Sequence, residues 1–323
     1  MKRPDRSPVS GTLLRRLAFA NIVANAAIVV TGGAVRLTAS GLGCPTWPRC
    51  TDESYTATAE MGMHGAIEFG NRLLTFVLVL IAGATLLAAL AHRPRRRGAV
   101  PLALAVVLGI VAQAVIGGIT VRTQLHPSIV GIHFVVSMLL LLVAYALWRR
   151  VSEPDGPTVP VVPPAVRTLT WLTVVASAAV IVVGVAVTGS GPHAGDADAV
   201  RNGLDPQTIS QIHADLVFLL VGLTVGLWLA LRAVGAPAAA VRAALTLLLV
   251  ELGQGVIGFV QYFTNLPVLL VGLHMLGSCL VWLATLAVLW STRERRPADH
   301  PPPPTSPTAS TSTEPSHPAP APA

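Results

Sequence analysis

Eight long apolar stretches separated by short polar ones set the pattern of the chain. They run at about 17 to 35, 70 to 91, 99 to 121, 128 to 148, 169 to 188, 209 to 231, 238 to 262 and 266 to 290. Each is close to the roughly 20 helical residues that cross a hydrocarbon layer of about 30 Å. Backbone polar groups in lipid are satisfied only within a helix or around a closed barrel, and barrel strands are shorter and alternate in polarity. The pattern therefore predicts an all-α integral membrane protein with eight transmembrane helices.

The residues inside these stretches recur. Val130-Gly131-Ile132-His133 returns 141 positions later as Val271-Gly272-Leu273-His274, and Gln113 to Gly118 returns at the same offset as Gln254 to Phe259. Asn71 to Phe76 matches His213 to Phe218 at 142, and Val30-Thr31-Gly32 matches Val187-Thr188-Gly189 at 157. The pattern predicts two tandem four-helix bundles related by a parallel internal repeat, 17–148 and 169–290. They are flanked by an amino-terminal segment 1–16, a linker 149–168 rich in Pro and Val, and a disordered Pro/Ser/Thr/Ala tail 291–323. The change from 142 to 157 places about fifteen extra residues in one connection of the first half, the loop 36–66 that holds Cys44 and Cys50.

Composition agrees: 53% of residues are hydrophobic and 11% charged, which is outside the range of soluble globular chains. With the amino terminus inside, 17 of the 22 Lys and Arg residues fall on the inner side and only Arg36, Arg49, Arg72, Arg122 and Arg201 outside. The positive-inside rule thus predicts a multi-pass cell-membrane protein with both termini cytoplasmic. The net charge of +7 follows from that topology and calls for no nucleic-acid partner. No Ala-x-Ala cleavage site follows the first stretch, which reads as a retained anchor.

Candidate chemistry centres on three histidines. His133, His213 and His274 lie five to eight residues in from the outer ends of even-numbered helices, a common level roughly 7 to 12 Å deep. His213 and His274 are two neutral imidazoles at one depth in one bundle, the arrangement that six-coordinates a heme iron. In the first half Asn71 stands where His213 does, so His133 has no imidazole opposite and one iron position stays open. His64, seven residues before Asn71 and about 10 Å along a helix, substitutes only if that helix starts irregularly.

Glu68 is an acid at a membrane boundary. It cannot snorkel far, and its burial costs a few kcal/mol, which points to function. Arg36, Arg72 and Arg122, at outer helix ends, either snorkel to the interface or pair with carboxylates of a bound heme. Glu251 and Gln254 share a face of the seventh helix and read as interhelical polar contacts. Cys279 is a small apolar filler, and His193 a loop residue bonded to water or a nearby acid. Cys44 and Cys50 are open to three readings: a structural clip, a redox-active pair or free thiols. There is no phosphate-cradling loop and no zinc-type Cys/His spacing.

Together, Glu68-Phe-Gly-Asn71-Arg72-Leu-Leu, Cys44 and Cys50, Thr188-Gly-Ser-Gly-Pro-His193, Gln211-Ile-His213-Ala-Asp215 and the two Val-Gly-x-His stretches resemble the bacterial heme A synthase family. That family is related to the mitochondrial cytochrome oxidase assembly hydroxylase, and the resemblance spans roughly residues 15 to 290. It implies a membrane oxidoreductase acting on a CH3 group. Such an enzyme oxidises the C8 methyl of heme O to a formyl group, by successive hydroxylations and loss of water, to make heme A for cytochrome c oxidase. By resemblance, His213 and His274 hold heme b, His133 ligates the substrate heme O, Glu68 is the catalytic acid, Asn71, His64 and Arg72 line the substrate site, and Cys44 and Cys50 form a disulfide. Implied partners are a heme O synthase, cytochrome c oxidase assembly factors, an electron donor such as quinol, and further copies of the chain. The departure is Asn71, where many members carry histidine. A b-type electron-transfer cytochrome would share the paired histidines without needing Glu68. A heme transporter would need a polar path, and the inner halves of the helices, such as 78–90 and 139–147, are apolar.

Overall fold

The computed structural model describes residues 9–297. Eight helices carry the fold: α1 Gly11–Leu37, α2 Gly62–Ala91, α3 Ala99–Arg122, α4 Pro127–Ser152, α5 Pro164–Ser190, α6 Pro206–Ala233, α7 Ala238–Phe263 and α8 Val268–Ser291. All eight are long and apolar enough to cross a membrane. Even the 24 residues of α3 rise about 36 Å at 1.5 Å each. Local chemistry fixes several ends. Ser10 caps α1 by accepting the Leu13 N–H at 3.1 Å, and proline opens α4, α5 and α6, where its missing N–H costs nothing.

The helices close into two rings. α1 packs on α2 and α4, and α3 on α2 and α4; α5 packs on α6 and α8, and α7 on α6 and α8. The rings meet along α1–α8, α4–α5 and α4–α8. One apolar core fills the first ring and this seam, from Leu14, Ala18 and Leu141 to Trp282 and Leu286. A second, around Leu227, Leu231 and Leu247, fills the other ring. At the seam the Trp282 indole N–H donates to the Met138 carbonyl at 2.9 Å, so α8 and α4 are joined by a polar bond as well as by packing. Large side chains such as Phe76, Leu80, Leu249 and Phe263 are exposed, as lipid-facing residues are.

Two expectations are corrected. The second helix begins at Gly62 rather than near 70, so His64 and Glu68 are helical and the preceding loop is shorter than 36–66, ending in a 3-10 turn at Ala59–Met61. Hydropathy marks where a helix meets lipid, whereas the hydrogen-bond ladder runs on under polar side chains that pair with the loop. Secondly, the linker and the start of the tail are ordered together. Strand β1 Thr158–Pro160 pairs antiparallel with β2 Arg293–Arg295, with Val159 opposite Glu294. Around this ribbon Arg150 and Arg96 pair with Asp155, while Arg149 and Arg295 pair with Glu153. Two carboxylates thus gather arginines from α4, the α2–α3 connection and the chain after α8, which neither segment shows alone. A Cβ on Gly32 would lie 3.9 Å from Asn71 Nδ2, and one on Gly184 3.0 Å from His213 Cε1. The expected amino-terminal segment before residue 9, the tail after residue 297, and His300 and His317 lie outside the described residues.

Asp205 provides a check on one helix end. Its carboxylate caps α6 by accepting the Thr208 N–H at 2.7 Å, and that bond holds its pKa below the usual aspartate value. A carboxyl depressed in the folded state stabilises above its unfolded pKa of about 3.9 and loses that contribution as pH falls through the lower folded value. Asparagine caps equally well without titrating. Thermal unfolding in detergent should therefore show wild type losing stability relative to Asp205→Asn below about pH 4, with no such divergence at neutral pH.

Candidate functional site

The three histidines sit six or seven residues into their helices: His133 six after Pro127, His213 seven after Pro206 and His274 six after Val268. All three helices start at the face carrying the cysteine loop, so the rings lie about 9 to 10 Å below that face. Each ring rests on a glycine of the neighbouring helix. A Cβ would come within 3.4 Å of His133 Cε1 at Gly117, 3.0 Å of His213 Cε1 at Gly184 and 3.3 Å of His274 Cε1 at Gly258. Two of the helix turns are also tied: the Gln113 amide donates to the His133 carbonyl at 3.0 Å, and the Gln254 amide to the His274 carbonyl at 2.7 Å.

His213 and His274 face each other with ring centroids 6.5 Å apart and planes at 68°. Two imidazoles on one metal, each at a bond length of about 2.0–2.1 Å, hold their nitrogens about 4 Å apart and their ring centres roughly 6 to 6.5 Å apart. The observed spacing fits a metal between them. The Nδ1 atoms of His133, His213 and His274 are all buried without a hydrogen-bond partner. A buried polar atom left unpaired costs about 1–3 kcal/mol, so these Nδ1 atoms are available to an acceptor or donor outside the fold, although His213 also has a backbone bond to Val180.

The first ring differs. Asn71, which the sequence pattern pairs with His213, accepts the Thr31 hydroxyl through its Oδ1 at 2.8 Å, a bond that ties α2 to α1. His64 lies in the first turns of α2 with Nδ1 3.0 Å from Ser40 Oγ. Because α2 is continuous from Gly62, His64 stays two turns outward of Asn71 and is not brought beside it.

Glu68 is buried one turn outward of Asn71, on the same face of α2. Its Oε2 accepts the Cys44 N–H at 2.6 Å and its Oε1 pairs with Arg72 at 2.5 Å. Arg72 also donates to the carbonyls of Cys44, Thr46 and Arg49. The Cys44–Cys50 disulfide closes the loop so clamped. From it Trp47 lies so tightly on Gly118 of α3 that any Cβ there would overlap the indole, and Arg122 holds the Trp47 carbonyl at 3.1 Å. The loop therefore lids the first ring.

Arg36 reaches the other half, donating to the carbonyls of Thr188 at 2.7 Å and His193 at 2.5 Å. Arg72 and Arg122 thus bond loop carbonyls, Arg72 also pairs with Glu68, and Arg36 bonds one loop carbonyl and one in the last turn of α5. His193 bonds the Leu266 carbonyl at 3.0 Å rather than an acid. Sequence reasoning missed the glycine seats and the Thr31–Asn71 bond; the glycines at 117 and 258 stood in the recurring stretch, and that recurrence was the available signal.

Fold and site define a multi-pass membrane protein with two imidazoles facing each other inside its second ring. The chain matches the model of the cytochrome oxidase assembly protein family over residues 15–286, and it belongs to that family. It is 31% identical over 131 residues to heme A synthase of Geobacillus kaustophilus, covering 40% of each chain. Against heme A synthase of Geobacillus thermodenitrificans it is 31% identical over 140 residues, 41% of this chain and 43% of that one. Against that of Listeria welshimeri it is 30% identical over 130 residues, 40% and 42%. The chain thus matches about two fifths of the length of each of these relatives.

The glycine seats are testable by a matched pair. Gly184→Ala forces a methyl to 3.0 Å from His213, whereas a Cβ on Gly222 of α6 meets nothing within 4 Å. Overpacking costs about 1–3 kcal/mol, and removing a helix glycine gains about 0.5–1 kcal/mol. Unfolding temperature in detergent should fall for Gly184→Ala and hold or rise for Gly222→Ala.

Proposed function

We propose that this chain is a membrane oxidoreductase of heme A synthesis, which oxidises the C8 methyl of heme O to a formyl group by successive hydroxylations. The observation that carries the reading is the asymmetry of the rings. The second has two facing imidazoles at a metal-bridging distance, and the first has one imidazole, His133, below a buried carboxylate. His213 and His274 hold heme b, which supplies one-electron transfer. His133 ligates the substrate heme O, and Asn71, committed to Thr31, leaves the opposite face open.

Glu68 handles protons at the outer end of the substrate site. Each of its oxygens already accepts one bond, from Cys44 N–H or Arg72, and keeps a lone pair free. Arg72 orients the carboxylate and the loop together, while the disulfide and Trp47 keep water from the ring. The lysine and arginine distribution supports a loop face outside the cell and both termini in the cytoplasm. A heme O synthase is the natural source of the substrate, cytochrome c oxidase assembly consumes the product, and a quinol is a chemically suitable electron donor.

The test is co-expression with a heme O synthase, followed by extraction and mass analysis of bound hemes. Wild type should yield heme A or its hydroxylated precursor. Glu68→Gln, which keeps the bond to Cys44 N–H but loses the charge, should lower that yield at least tenfold, about 1.4 kcal/mol or more of barrier, while retaining heme b. If wild type holds only heme b, the chain is an electron-transfer cytochrome and the synthase reading fails.

A further inference from the structure

The second ring contains a buried acid for which the chemistry above has no use. Glu251 stands at the middle of α7, 13 residues or about 20 Å from the termini-face end at Ala238. It is buried; its Oε1 accepts the Thr224 hydroxyl of α6 at 2.9 Å, and its Oε2 is enclosed with no partner. One turn further out on the same face, Gln254 is bonded to the His274 carbonyl. In the other direction, Trp228 follows Thr224 by one turn of α6, its indole N–H also buried without a partner. Arg232, a turn beyond, lies 5.1 Å over the Trp228 ring at the termini end of α6. Polar side chains therefore stand at successive turns between the termini-face end of α6 and the turn that carries His274: Arg232, Trp228 and Thr224 on α6, Glu251 and Gln254 on α7.

The first ring has its buried polar groups elsewhere, with the Asn21 amide of α1 donating to the Thr85 hydroxyl of α2 at 2.7 Å. The residues 141 or 142 positions earlier than Glu251, Thr224 and Trp228 are Ile110, Ala82 and Leu86, all buried or half-buried apolar side chains. Hydrocarbon side chains fill this place well enough to pack a ring, so the acid is not there for packing. An unpaired carboxylate oxygen at membrane depth costs a few kcal/mol, which marks it for a task that uses its proton.

We propose that Glu251 is the proton acceptor that offsets the charge of an electron arriving in the second ring. This inference rests on the reading that His213 and His274 hold heme b. When a one-electron donor reduces the group that His213 and His274 would hold, Glu251 would gain one proton at Oε2, the proton coming from water. One negative and one positive charge enter together, so the net charge of the ring is unchanged; on reoxidation Glu251 returns the proton. α7 packs only on α6 and α8 among the described residues. Their ionisable groups are His213, Asp215 and Arg232 on α6, His274 and Cys279 on α8, and Arg242 and Tyr262 on α7 itself. None of them hydrogen-bonds or ion-pairs with Glu251, so no resident cation fixes its charge.

The experiment is a redox titration of the purified full chain with its heme b, followed by absorbance between pH 6 and 9. A potential coupled to one proton shifts by about 59 mV for each tenfold change in proton concentration. Wild type should approach that slope over part of the range. Glu251→Gln, similar in shape but without an ionisable proton, should be flat there, and Glu251→Asp should restore a slope. An unchanged slope in Glu251→Gln overturns the proposal, as does a flat wild type. A wild type lacking a paired-imidazole heme spectrum overturns the reading of His213 and His274, and this proposal with it.

Discussion

An imidazole lying flush on a glycine of the next helix is the contact on which the rest of the site depends. In lipid there is no water to solvate a misplaced polar ring, and helix–helix association rests on close packing rather than on the hydrophobic effect. Gly117, Gly184 and Gly258 let neighbouring helices approach His133, His213 and His274 so closely that ring position is set by backbone, not by a mobile side chain. Gln113 and Gln254 then tie the histidine turns across the same helix pairs. Helix spacing and ligand geometry are in this way a single property, and loosening one loosens the other.

The loop face is held by the same economy of polar groups. Glu68 and Arg72, one turn apart, satisfy the backbone around Cys44 and so convert a long connection into a lid. Arg36 and the bond from Gly41 N–H to the Gly195 carbonyl carry that order across to the other half. An acid that closes the lid from inside the first ring ties access to that ring to its own position. Changing Glu68 to a residue that cannot accept the Cys44 N–H would disturb both at once, and only a conservative change separates them.

How far the sequence disclosed this follows from the physics of each feature. Spans were legible because a bilayer demands about 20 apolar residues in a row. The three histidines were legible because they recur at one depth. The start of α2 was not, since a helix end paired with a loop is polar and hydropathy is blind to it. The β1–β2 ribbon was hidden because Asp155 and Glu153 recruit arginines from three separate segments. Asn71 was visible as a departure, but its bond to Thr31 joins two helices and cannot be read from spacing.

The two rings share an architecture and differ where side chains enter the interior. At the histidine level the first gives up an imidazole for Asn71, and deeper in the second gives up Ile110 and Ala82 equivalents for Glu251 and Thr224. Each exchange costs packing or ligation, so each has a physical cost that a purely structural pair of bundles would avoid. On the proposed function the two asymmetries are complementary: the place without a second imidazole would leave an iron face for chemistry on a substrate, and the buried carboxyl would give a proton a place beside a centre that is reduced and reoxidised. The seam of α1, α4, α5 and α8 holds the two rings together.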